Sequence, residues 1–296
     1  MGVICCTKNQ QPASGDIETE REVSIPIYSS SADKEFSKLE TKENLLRDIV
    51  FSDYIYSLSQ FSLENATVQD DYTHKPTFYS MDQPFYNEEL TPDLFQSFIE
   101  NKIFKHPNLY VKAGENEDTA RLFKDAMLNI QKSLISKLDQ NDKNNGVDQP
   151  NNVFRKSHAI ALGLLYTSGT NVSKIKFLHN LFSQGGSLKK TNAFSEFLLA
   201  LFLIPSYCML YTRNKLADNG SLPEFSKETM KKILDKCELK DTVNLLGITM
   251  KMIFPVEDKS YSYPKFKNLF EGGGPNSIGW MITPRGIRLM LEKNNV

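Results

Sequence analysis

Residues 172–204, "VSKIKFLHNLFSQGGSLKKTNAFSEFLLALFLI", decide the fold. They read as a helix, a short polar loop carrying Gly185 and Gly186, and a second helix opening near Phe194. A second segment reads the same way: "DTVNLLGITMKMIF", then "PVEDKSYS", then "YPKFKNLFEGG" over residues 241–273. The expected fold class is all-α, a multi-helix body built around this pair.

The rest of the chain bounds what that body can do. Its 296 residues, 40% hydrophobic and 24% charged, suffice for one large core or two moderate ones. Thirty-five basic and 36 acidic residues give a net charge of −1 without long like-charge blocks, so nucleic acid is not an expected partner. Cys5, Cys6, Cys208 and Cys237 fit neither a disulfide framework nor a zinc knuckle, which points to a reducing compartment. A signal peptide is not expected, and the sequons at Asn65, Asn171 and Asn219 then go unused. The longest apolar run, "FLLALFLI", meets Pro205 and Ser206 well short of the roughly 18–20 residues of a bilayer span. No transmembrane helix is expected.

The opening residues, "MGVICCTKNQ", supply a different route to a membrane. Loss of Met1 exposes Gly2 ahead of small uncharged residues, the pattern of N-myristoylation, with Cys6 where Ser or Thr is usual and Thr7 one place late. One myristoyl chain binds a bilayer marginally, with a constant of about 10⁴ M⁻¹, so stable attachment needs a second signal. Lys8 is the only nearby base, which leaves palmitoylation of Cys5 and Cys6. These residues resemble the N-termini of dual-acylated signalling proteins such as G-protein α subunits and Src-type kinases. That resemblance implies a lipid anchor at Gly2, Cys5 and Cys6 on the cytoplasmic face of a membrane. The alternative is an unmodified N-terminus with accidental cysteines.

Residues 1–8 are thus the expected anchor and residues 9–40, polar and serine-rich, a disordered, flexible tether. At about 5–6 Å × √n, a tether of this length keeps the body within a few nanometres of the bilayer. An N-terminal helical region is expected over 41–150. In "TKENLLRDIVFSDYIYSLSQFS", Leu45, Ile49, Tyr54 and Leu58 share a face, with Thr41 as cap and Glu43 in the first turn. "LTPDLFQSFIENKIFK" opens a helix with Thr91 as N-cap and Pro92 at its first position. A third helix places Leu122, Ala126, Ile130, Leu134 and Leu138 at intervals of four. Between the first two lies the aromatic "HKPTFYSMDQPFYNEEL", expected to pack over the helices. The polar gap "DQNDKNNGVDQPNN" marks the boundary to the C-terminal region, 151–296.

The apolar skeleton of that C-terminal region resembles a pair of EF-hands. Leu188 and Tyr261 occupy the place of the short strand pairing two loops, and Phe194 and Phe266 begin the exiting helices. Tyr261 and Phe266 keep the family's loop spacing, and Leu188 to Phe194 is one residue longer. The resemblance implies a helix-pair scaffold that has lost ordinary calcium binding. Calcium takes six to eight oxygens, many of them carboxylate. The second loop offers Phe254, Val256 and Asp258 at the first three ligand places and Lys265 at the last. The first offers Leu181, Ser183, Gly185 and Asn192, with no carboxylate. The gap at 139–152 imitates half a loop through Asn141, Lys143, Asn145 and Gly146, but Asn152 stands at the closing Glu position and Asp148 at the apolar one, so it reads as a solvated linker. No metal site and no cofactor are expected, with calcium at most weak.

An enzyme needs convergent polar groups, and no phosphate loop, paired helical His, nucleophile elbow or kinase signature is present. "EGGGPNS" precedes Pro275 and follows no strand. His74, His106, His158 and His179 have no partner at the spacing of zinc ligands, and His179, between Leu178 and Leu181, reads as a surface or satisfied core residue. Cys208 and Cys237 read as buried small hydrophobes. The last helix, with Ile287, Leu289, Met290 and Leu291 after Trp280, either fills the groove of the pair or packs as ordinary core. The expectation is a non-enzymatic, membrane-tethered adaptor or regulatory protein without catalytic residues, whose partners are the membrane surface and a protein or amphipathic helix. The rivals are a calcium sensor with a myristoyl switch and an enzyme of an unrecognised helical family.

Overall fold

The structure, a computed structural model, describes residues 46, 49–65, 89–106, 125, 128, 154–218, 239–256, 260–271 and 277–293. Among them are eight α-helices: α1 (Phe51–Asn65), α2 (Pro92–Phe98), α3 (Lys156–Tyr166), α4 (Asn171–Phe182), α5 (Asn192–Asp218), α6 (Leu239–Ile253), α7 (Tyr263–Glu271) and α8 (Pro284–Lys293). A π-helical turn, Ile99–Ile103, extends α2, and a 3₁₀ turn, Gly279–Ile282, leads into α8. Three strands of two residues each, β1 (Ser183–Gln184), β2 (Ser187–Leu188) and β3 (Tyr261–Ser262), form one antiparallel sheet in that order. The described chain is mostly helical. None of its helices is long and apolar enough to cross a membrane.

The helix read across 41–62 does not run through Ile49 and Val50, and α1 starts at Phe51. Val50 forms a parallel bridge with Ser168, while Leu46 stands in a 3₁₀ turn. The Phe51 N–H donates to the Ser168 carbonyl at 2.7 Å and the Ser168 N–H to the Ile49 carbonyl at 2.9 Å. Ile49, Tyr54 and Leu58 are fully buried, the shared face their spacing implies. Thr41, Glu43 and Leu45 lie outside the described residues, as do the anchor, the tether, Cys237 and the polar gap. The third helix is described only at Asp125 and Leu128, and the aromatic segment only at Glu89 and Leu90. Thr91 caps α2 as its sequence predicts: its hydroxyl accepts from the Leu94 N–H at 3.3 Å, and Pro92 takes the first position.

Pro205 does not end its helix. α5 runs on to Asp218, because a proline costs a helix one backbone bond and neighbouring packing can carry it. Separately from that lost bond, Arg288 of α8 donates to the Pro205 carbonyl, with Nη2 at 2.7 Å and Nε at 3.2 Å.

One apolar core joins residues from Leu46 to Leu291, on both sides of the polar gap. α1 lies on α3. The Tyr54 hydroxyl donates to the Ala159 carbonyl at 2.8 Å, and its ring covers Gly163, where an added Cβ would fall inside the ring. Gly163→Ala therefore overpacks the α1–α3 contact, although alanine favours helices. A net loss of about 1–3 kcal/mol in chemical denaturation is expected. An unchanged or raised midpoint would show that the ring does not rest there.

Candidate functional site

The two helix-loop-helix units meet at their loops. In the first, Phe182 ends α4, and the chain turns back at once through Gly185 and Gly186, with φ of +58° and +75°. Two successive positive φ values are the requirement of a two-residue hairpin turn, and Gly-Gly meets it without strain. Ser183 thus pairs with Leu188 and Gln184 with Ser187. The sequence pattern implies one strand residue in this loop. The glycine pair makes a whole hairpin of it.

β2 then pairs with β3, placing Leu188 opposite Tyr261 and Ser187 opposite Ser262. These are the two residues that the EF-hand resemblance sets against each other. Packing follows the same cross-connection: α4 lies against α7, and α5 against α6. Phe194 and Phe266, in the first turns of α5 and α7, are both fully buried. A run of rings crosses the junction, with centroids 5.3 Å apart for Phe182 and Phe194, 6.1 Å for Phe194 and Phe254, and 5.9 Å for Phe254 and Tyr261. Each such pair contributes about 0.5–1.5 kcal/mol beyond burial.

His179 locks the junction from the side. It is buried on α4, and its Nε2–H donates to the Tyr261 carbonyl at 3.0 Å, which fixes the tautomer because a carbonyl only accepts. The rings of Tyr263 and Phe266 flank it. It is a satisfied core residue.

At the ligand places of the resemblance, Leu181 is half-buried on α4, Ser183 and Gly185 belong to the hairpin, and Phe254 is buried among aromatics. Asp258 lies outside the described residues. Among the described residues no three His, Cys, Asp or Glu side chains group as metal ligands do.

A separate cavity of about 570 Å³ opens between the start of α1 and the outer face of α4. Val50, Phe51, Ile55, Val172, Phe177 and Leu181 make its apolar walls, and Ser52, Thr170, Ser173, Lys176 and Asn180 supply its polar groups. The Val50–Ser168 bridge sets its floor, followed by Gly169 at φ +139°, a conformation that needs glycine. Behind Phe51, Lys174 is buried with its ammonium donating to the carbonyls of Leu164 at 2.8 Å and Thr167 at 2.6 Å. It holds the C-terminal end of α3 and stands 5.9 Å from the centre of the Phe51 ring. Burial lowers its pKa to about 8. The apolar run read along α4 gave its inner face; the cavity on its outer face needs α1 brought from a distant part of the chain, and no local pattern reveals it.

Buried cations were also hidden from sequence. Arg288 is 1% exposed, between Ile287 and Leu289, and ties α8 to α5. α8 thereby packs against α5 and α6, with Ile287 and Leu291 in the core and the Trp280 ring 5.5 Å from Phe202. The last helix thus packs on the exiting helix of one unit and on the entering helix of the other. Arg288→Ala removes two charge-assisted bonds and leaves a cavity, so a loss of about 2–4 kcal/mol in denaturant unfolding is expected, and a loss below about 0.5 kcal/mol would contradict the contact.

At the start of α3, His158 Nδ1 accepts from the Arg155 N–H at 3.1 Å and closes a capping arrangement. Burial foremost, and then the Arg155 charge, lower its pKa to about 4. The unfolded chain, with a His near 6.5, then takes up this proton first as pH falls. The stabilisation is complete above about pH 6.5 and is lost towards pH 4, by about 3 kcal/mol. His158→Gln is expected to flatten that part of the stability profile, and an identical slope in both proteins would refute the assignment.

No family model matches the chain, nor does any curated protein or solved structure.

Proposed function

We infer that the chain is a non-enzymatic, membrane-tethered adaptor or regulatory protein, built on a degenerate EF-hand-like pair and anchored by lipids on Gly2, Cys5 and Cys6. The observation that carries the scaffold reading is the antiparallel pairing of Leu188 with Tyr261 between two helix-loop-helix units. The cross-packing of α4 on α7 and α5 on α6 supports it. Chemistry in the loops supports the loss of calcium. The first folds as a Gly-Gly hairpin, and the second has a buried phenylalanine, Phe254, at its first ligand place. The last helix, packed on α5 and α6, occupies the place where a partner helix would lie in such a pair, so this reading assigns partner binding to other surfaces.

The anchor reading rests on the residue types at the start of the chain: a glycine after Met1, no acidic side chain among the first eight residues, and two adjacent cysteines. Two lipids hold a protein at a membrane where one does so only reversibly. Metabolic labelling with alkyne myristate and alkyne palmitate, followed by membrane fractionation, tests it. Wild type is expected to take both labels and to sediment with membranes. Gly2→Ala is expected to lose both lipids, because palmitoyl transferases meet Cys5 and Cys6 only after the first chain has reached the bilayer. Cys5→Ser with Cys6→Ser is expected to keep myristate and to leave the membrane fraction. Unlabelled, soluble wild type would end the anchor reading.

A further inference from the structure

A protein that carries an acyl chain must place that chain somewhere whenever it is off the membrane, since exposed apolar surface of that size drives association. We propose that the cavity between α1 and α4 binds the N-terminal acyl chain of the same molecule, so that the lipid on Gly2 is shielded in solution and released to the bilayer. This inference rests on the anchor reading above and adds the site that governs it.

Three observations point to that occupant. The first is chemistry: Phe51, Ile55, Val172, Phe177 and Leu181 make walls for an apolar, unbranched ligand, and a volume of about 570 Å³ lies within the roughly 300–1,000 Å³ of ligand sites. The second is connectivity. Residues 1–45 precede the described body, and the chain enters it at Ile49, Val50 and Phe51, two of which line the cavity. The acylated residue is thus joined to the rim of the site itself. Forty-eight residues separate Gly2 from Val50, a contour far longer, at about 3.3–3.6 Å per residue, than the cavity is deep, so chain length does not keep Gly2 from it. The third is the polar part of the lining: Ser52, Thr170, Ser173, Lys176 and Asn180 supply groups for the amide joining the lipid to Gly2, alongside the apolar residues that would take its methylenes.

Shielding and membrane binding then compete for one acyl chain. A free myristoyl group partitions into bilayers with a constant of about 10⁴ M⁻¹, and a cavity that holds the chain lowers the apparent constant by the fraction of molecules in which it is held. Palmitoylation of Cys5 or Cys6 would shift that balance to the membrane by adding a second chain that the one cavity does not accommodate.

The test uses the full chain made in bacteria with a co-expressed N-myristoyltransferase, so that only Gly2 is acylated, with mass spectrometry reporting the lipid. Vesicles of neutral phosphatidylcholine are the probe. Val172→Glu puts a charge on the cavity wall near the start of α4, where acidic residues suit a helix, and Val243→Glu, on the exposed face of α6, is the control. Circular dichroism establishes that each variant folds. Acylated wild type is expected to bind vesicles about tenfold more weakly than 10⁴ M⁻¹, Val172→Glu to regain that value, and Val243→Glu to behave as wild type. Gly2→Ala is expected not to bind. Acylated wild type that already binds at the free-chain value, with Val172→Glu unchanged, would overturn the cavity assignment and leave the anchor reading standing. Vesicle binding that rises in Val172→Glu even when Gly2→Ala is present would show that the effect does not come from the acyl chain, and would also overturn it. Absence of the lipid from wild type would overturn the anchor reading and this inference with it.

Discussion

Leu188 and Tyr261 stand opposite each other in a ladder only two residues long, and the arrangement of the C-terminal helices depends on it. An isolated pairing of this length has no independent stability in water. It persists because three other features converge on it. The Gly185–Gly186 turn delivers Leu188 from one side, His179 holds the Tyr261 carbonyl from the other, and the rings of Phe182, Phe194 and Phe254 exclude water around it. Once the loops are joined, the helices leaving them have little choice: α4 must lie on α7 and α5 on α6. α8 then covers the exposed flank of α5, with Arg288 on the Pro205 carbonyl.

Backbone pairing and ring packing account for the described part of this junction. Where a cation would organise a loop through several oxygens, the first loop organises itself through glycine conformations and backbone pairing. The aromatic run supplies the rigidity that ligand bonds would otherwise provide. Under the proposed adaptor reading, location and not metal load is what is regulated, and the cavity on the far side of α4 offers a place for such control.

How much of this was legible in the sequence divides along the range of the interactions. The helix pair was legible because periodic apolar residues and a glycine turn are local signals, whereas the pairing of Leu188 with Tyr261 was implied only by the EF-hand resemblance. Thr91 and Pro92, also local signals, announced their helix start. The non-helical step at Ile49 and Val50 was not foreseen because Ile49 is hydrogen-bonded to Ser168 and Val50 bridged with it, over a hundred residues away, and such a pairing leaves no local trace. Lys174 and Arg288 look like solvated cations in the sequence, yet each caps buried carbonyls of another element. The cavity belongs to this class. It exists only where α1 and α4 meet, and neither helix alone predicts it.

The central proposal is that backbone pairing and packing join the two units without the help of a bound cation. Hydrogen exchange at residues 187–188 and 261–262, measured by NMR in excess chelator and again in millimolar calcium, tests it most directly. The account predicts that ladder amides at these positions are protected to the level of the core helices in both conditions, with unchanged rates. Fast exchange in chelator, slowed when calcium is added, would contradict it and would make the pair a metal-dependent device.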